Sequence, residues 1–138
     1  MRYFDAGALV KRYVREKGTV KVRRLLTSDL ASTSRYSVVE ISSALARRVR
    51  EGVLTDSDRE RTLAALQEDM TALLAVELTS EVVSRAQVLL RRHPLRAGDA
   101  VQLASCLHLQ EALEDQITLV AFDERLLAAA RKERVAVA

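Results

Sequence analysis

Four acidic residues, Asp5, Glu40, Asp99 and Asp123, stand where their side chains can gather around a metal ion. Asp5 follows Tyr3-Phe4 and Asp123 follows Leu119-Val120-Ala121-Phe122, and each precedes a stretch with helical spacing. Asp99 stands at the start of another such stretch. Glu40 lies in Val38-Val39-Glu40-Ile41, beside an apolar stripe rather than on the basic face formed by Arg47, Arg48 and Arg50. Each acid also has an ordinary role. An aspartate at a helix start caps free N–H groups and suits the helix dipole. A glutamate at the edge of a buried face pairs with a cation or a metal. The combination says more than any member: four carboxylates in one cleft raise each other's pKa values unless a cation sits among them. Oxygen-only ligands select hard ions, which points to Mg²⁺ or Mn²⁺ rather than zinc. His93 and His108 show no ligand spacing with each other or with Cys106, and all three read as structural.

Short strands alternating with helices must position these acids. A strand over residues 2–4 leads into a helix that runs from Asp5 to the break at Gly18, and Val22, Leu25 and Leu26 mark a second helix. Residues 31–33 form a weak strand candidate. Val38, Ile41, Leu45 and Val49 stripe a third helix closed by Gly52. Thr55-Asp56-Ser57 cap a fourth, whose stripe is Leu63, Leu66, Met70, Leu73 and Leu74. A strand over 76–78 follows, then a helix capped by Thr79 or Ser80 and ended by His93-Pro94. Another helix starts near Gly98 or Asp99. Residues 117–121 read as a strand buried on both faces, Asp123 opens the last helix, and residues 135–137 add a final strand. The alternation predicts a parallel sheet flanked by helices with right-handed crossovers, in which ligands collect beyond the carboxyl ends of the strands. Asp5 and Asp123 occupy such ends.

The 138 residues suit one domain over 1–138 with one core. With 49% hydrophobic and 30% charged residues the chain is globular rather than disordered. A lone cysteine allows neither an internal bridge nor a zinc site and fits a reducing cytoplasm. No signal peptide or membrane-spanning run is visible, so no membrane partner is expected. The net charge of +3 permits a nucleic-acid partner.

Four segments carry a family likeness. Tyr3-Phe4-Asp5-Ala6-Gly7-Ala8-Leu9-Val10-Lys11 resembles the opening strand, acid and helix of PIN-domain nucleases. Ser34-Arg35-Tyr36-Ser37-Val38-Val39-Glu40 resembles the segment with the helical glutamate. Leu95-Arg96-Ala97-Gly98-Asp99-Ala100-Val101-Gln102-Leu103-Ala104 resembles the family's "LRAxDAxxLA" stretch, and Leu119-Val120-Ala121-Phe122-Asp123 its last strand and acid. They occur in the family's order and span nearly the whole chain, with a layout similar to VapC-like toxins of toxin–antitoxin pairs.

The resemblance implies a three-layer α/β/α sandwich around a short, mainly parallel sheet, and a Mg²⁺- or Mn²⁺-dependent endoribonuclease. Asp5, Glu40, Asp99 and Asp123 would hold the metal, which polarises the phosphate and lowers the pKa of a bound water. Which acid acts as base stays open. It further implies an RNA substrate, an antitoxin covering the cleft, and a homodimer. An acidic cleft repels a polyanion, so cations must frame it, and Lys11, Arg12 and Arg96 are the expected phosphate contacts. Two positions depart from the family: Gly7 and Ala121 stand where hydroxyl residues are usual, which loosens the support of metal ligands. The competing reading is therefore a catalytically weakened PIN domain that binds RNA or an antitoxin. A receiver domain needs an acidic pair after its first strand, and a haloacid-dehalogenase-like phosphatase needs Asp-x-Asp. Phe4, Ala6 and Gly7 around Asp5 exclude both.

Overall fold

The computed structural model describes residues 1–138. Five parallel strands form one sheet in the order β3-β2-β1-β4-β5: β1 (Arg2–Phe4), β2 (Ala31–Ser34), β3 (Leu74–Val76), β4 (Thr118–Val120) and β5 (Ala136–Val137). The central β1 pairs with β2 on one side (Tyr3 with Ser32) and β4 on the other (Tyr3 with Leu119). Side chains alternate across the sheet. Tyr3 and Leu119 join the core beneath α5 (Ser80–Arg92), α6 (Ala97–Leu113) and α7 (Glu124–Lys132). Phe4 and Val120 join the core beneath α1 (Ala6–Leu9), α2 (Thr19–Thr27), α3 (Tyr36–Arg50) and α4 (Asp56–Asp69). The result is the expected α/β/α sandwich, with every strand parallel.

The chain moves from β1 outward through β2 to β3, returns to the far side of β1 as β4, and continues to β5. That reversal opens a crevice beyond the carboxyl ends of β1 and β4, where parallel sheets hold ligands. Local chemistry sets several helix starts, two of them at the crevice. Asp5 and Asp123 cap α1 and α7, and Thr55 and Asp58 form a reciprocal capping box at α4.

Three elements differ from the periodicity. The helix after Asp5 lasts one turn, tightens into a 3₁₀ turn over Val10–Arg12, and gives way to a loop before Gly18. Tight 3₁₀ turns of this kind commonly finish α-helices. The fourth helix stops at Asp69, although Leu73 and Leu74 continue its stripe. Leu74, Ala75 and Val76 instead pair with Ser32, Thr33 and Ser34, so the third strand lies two residues earlier than expected. Strand pairing here overrides helical spacing.

Candidate active site

The crevice is a cleft of about 660 Å³ lined by Asp5, Glu40, Asp99 and Asp123 together. Asp5 is 5% exposed. Its Oδ1 accepts the Ala8 N–H at 2.7 Å, and Oδ2 makes no hydrogen bond within the protein. Asp123 caps α7 in the same way, with Oδ1 accepting from Leu126 N–H at 3.0 Å. The capping role is therefore real for both, yet it uses one oxygen of each and leaves the other available. Asp99 lies inside the first turn of α6, caps nothing, and has both oxygens without a protein partner. Glu40, one turn into α3, receives the Gln102 side-chain N–H on Oε1 at 2.8 Å, which leaves Oε2.

Three of these acids hold their protons more tightly than usual. Burial, with the charges of Asp99, Glu40 and Asp123 around it, pushes Asp5 up to about 7, against the hydrogen bond from Ala8. Burial also raises Glu40, helped by Asp99 and opposed by the Gln102 hydrogen bond. Asp99 is raised by burial and by Asp123, with Arg96 pulling the other way. Mutual repulsion of this kind is relieved by a cation among the carboxylates. The donor set consists of carboxylate oxygens with no imidazole or thiolate, which fits a hard divalent ion. The acids surround the cleft without three of them closing into a ready-made cage, so binding such an ion requires side-chain adjustment.

The cationic rim differs from the one expected. Lys11 and Arg96 line the cleft. Arg12 does not: one residue further round the turn, it points away and pairs with Asp69 at 2.7 Å on the far side of α1. Arg47 and Arg50 take its place, exposed, without an ion pair, and lining the same cleft as Glu40. The expectation that Glu40 and these arginines occupy separate faces of α3 is thus corrected. Residues i and i+7 lie on nearly the same side of a helix, and the Glu40–Arg47 spacing carried that signal. Phe122, beside Asp123, adds an exposed ring with the Lys11 and Lys21 ammonium groups 4.7 and 5.6 Å from its centre. Lys11 is also held by Glu16, which pairs with Arg48 of α3 as well.

The two positions lacking hydroxyls differ in kind. A Cβ on Gly7 would sit 3.6 Å from Asp5 Oδ2, ordinary contact distance, so the cleft has room for a larger residue there. Ala121 is 3% exposed and packs into the core under α5–α7.

A parallel sheet with four acids beyond the ends of its central strands defines a class, and residues 2–132 match the PIN domain. The chain belongs to the PIN-domain family. Among its relatives, Ribonuclease VapC45 of Mycobacterium tuberculosis is 39% identical over 106 residues, covering 76% of this chain and 74% of that protein. Two solved structures share the fold. FitAcB from Neisseria gonorrhoeae superposes with a TM-score of 0.64 at 16% identity, covering 99% of this chain and 96% of that one. A toxin–antitoxin complex from Klebsiella pneumoniae gives 0.63 at 15% identity, covering 93% and 91%. No helix is long and apolar enough to cross a membrane.

Proposed function

We propose that this chain is a metal-dependent endoribonuclease and the toxin of a toxin–antitoxin pair. The observation that carries the reading is the grouping of Asp5, Glu40, Asp99 and Asp123 in one cleft, where their charges oppose one another. The likeness to a VapC ribonuclease supports RNA as substrate. Asp5, Asp99, Asp123 and Glu40 would hold Mg²⁺ or Mn²⁺, which when bound supplies charge neutralisation for the scissile phosphate and a more acidic water. Arg96, Lys11, Arg47 and Arg50 bind the flanking phosphates and offset the repulsion between an acidic cleft and a polyanion. Arg47 and Arg50 stand about 10 and 15 Å along the axis of α3 from Glu40, so they grip the strand away from the bond being cut.

An antitoxin is the proposed regulator, covering the cleft with a peptide segment. The likeness to a toxin–antitoxin complex supports such a partner. The protein works in the cytoplasm, in this reading, as a homodimer.

Cleavage of labelled total RNA with Mn²⁺, Mg²⁺ or EDTA, beside an Asp99→Asn variant, tests the proposal. Metal-dependent cutting that falls about 100-fold or more in the variant is expected, at least the loss seen when a residue that merely orients a ligand is removed. Equal cutting in EDTA or in the variant would sink it. The open space beside Asp5 at Gly7 favours a second reading, a weakened nuclease that serves as a binding module. RNA or antitoxin binding without cleavage under any metal would select that reading.

A further inference from the structure

Beneath the cleft runs a chain of buried polar groups that the phosphate chemistry does not use. Gln102, on the second turn of α6, is 1% exposed. A buried amide must find partners for two N–H donors and one carbonyl, or it costs stability. Gln102 finds all three. The Tyr3 hydroxyl donates to its Oε1 at 2.7 Å, and its Nε2 donates to Ser37 Oγ at 2.9 Å and to Glu40 Oε1 at 2.8 Å.

The hydrogen positions follow from the partners. Thr33 Oγ1 donates to the Phe4 carbonyl at 2.7 Å. Its proton is thereby committed, so in the 2.8 Å contact between Thr33 and Ser37 the Ser37 hydroxyl is the donor. Ser37 Oγ then accepts from Gln102. Turning the amide over would set its carbonyl against the Glu40 carboxylate and against Ser37 Oγ, whose proton is already given to Thr33. Ser37 therefore fixes which way the amide faces, Tyr3 completes its carbonyl, and the arrangement aims the second N–H at Glu40. At its other end this chain bonds the carbonyl of Phe4, the residue before Asp5.

A second feature of α6 meets the same carboxylate. Gly98 lies one turn before Gln102 on the same helix face, and a Cβ there would stand 2.9 Å from Glu40 Oε2. Glu40 thus rests in a slot that has the Gln102 amide on one wall and the bare backbone of Gly98 on the other.

We propose that Gln102, locked by Tyr3 and Ser37, is the positioning residue that presents the Glu40 carboxylate to the metal and the scissile phosphate. The inference rests on the nuclease reading above, but its test separates the two. Mn²⁺ binding is titrated calorimetrically without RNA, and kcat and KM are measured on a labelled oligoribonucleotide. The proteins are wild type, Gln102→Met, Tyr3→Phe, Glu40→Gln and the Gln102→Met/Glu40→Gln double variant. Gln102→Met keeps the side-chain volume, and Tyr3→Phe removes only the hydroxyl, so the second carries the test if the first does not fold.

Gln102→Met is expected to weaken Mn²⁺ binding and lower kcat by about 10- to 100-fold, the usual cost of losing a partner behind a metal ligand, with KM nearly unchanged. Tyr3→Phe gives a smaller loss of the same kind. Gln102→Met adds no further loss when Glu40 is already glutamine. Unchanged Mn²⁺ affinity and kcat in the two single variants, or the same loss in the Glu40→Gln background, overturns the proposal. If wild type binds Mn²⁺ but cuts no RNA, the nuclease reading falls and the Mn²⁺ titrations alone decide the role of Gln102. A wild-type protein that binds no Mn²⁺ overturns both.

Discussion

The absent side chain of Gly98 determines how closely Glu40 can approach α6, and it separates stability from activity. Glycine within a helix costs roughly 0.5–1 kcal/mol relative to alanine. Gly98→Ala is therefore expected to shift thermal stability little, the helix gain offsetting the disturbed Gln102–Glu40 hydrogen bond, while its methyl displaces the carboxylate 2.9 Å away. RNA cleavage should fall about tenfold, or roughly 1.4 kcal/mol of transition-state stabilisation. A melting curve beside a rate measurement checks it, and an unchanged rate would show that the slot is not needed. The acids themselves were legible in the sequence, because an aspartate between a strand-like run and a helix has few places to go. Gln102 was not. It sits between Val101 and Leu103 in an apolar helix, and its role depends on Tyr3 and Ser37, which only the folded sheet brings to it.

At the scale of elements, the loop between the 3₁₀ turn and α2 buttresses one lip of the cleft. Gly18 has φ +97° and packs so tightly on Phe122 that a Cβ would come within 2.7 Å of the ring. Both the backbone conformation and the contact exclude other residues. Gly18→Ala should destabilise the protein by about 1–3 kcal/mol and shift Phe122, with loss of cleavage following from movement of the neighbouring Asp123. Denaturant unfolding gives the first quantity, and a stability within 0.5 kcal/mol of wild type would sink the prediction. The sequence marked Gly18 as a helix breaker, and it is the start of α2 rather than the end of a long first helix. Capping chemistry placed the starts of α1, α4, α5 and α7 because it acts within four residues, whereas α3 and α6 begin without a side-chain cap, and α6 starts at Ala97 rather than at Gly98 or Asp99. The end of α4 and the place of β3 were illegible for the opposite reason: β2 pairs with Leu74–Val76, and that pairing is not local.

For the whole molecule, the crowded acids make stability depend on pH and on cations. Asp5 has a pKa near 7 in the folded protein against 3.8 when unperturbed, and Glu40 and Asp99 are shifted the same way. Acids whose folded pKa is raised contribute stability that is complete below the unfolded value and is lost as pH rises through the folded one. For Asp5 that loss runs from about pH 4 to pH 7, a displacement worth about 4 kcal/mol. A cation among the carboxylates favours their ionised forms and reverses the trend. The rise in melting temperature on adding Mn²⁺ should therefore be small at pH 5 and grow towards pH 8. A rise independent of pH would place the ion elsewhere. The parallel sheet was legible from the alternation of strands and helices. The strand order was not, since nothing local to residues 2–4 says that β1 will be central.

That central position has a consequence for synthesis. Arg2 pairs with Thr118, and Asp123 follows only after β4 is in place. During translation the first strand emerges early and can pair only with β2 until the ribosome has made α6 and β4. Long-range parallel pairing is slow to form and comes after local structure. A nascent chain that ends within α6 carries Asp5, Glu40 and Asp99 but neither the strand nor the acid that closes the crevice. The cleft is therefore assembled only once β4 and Asp123 have left the machinery that makes them.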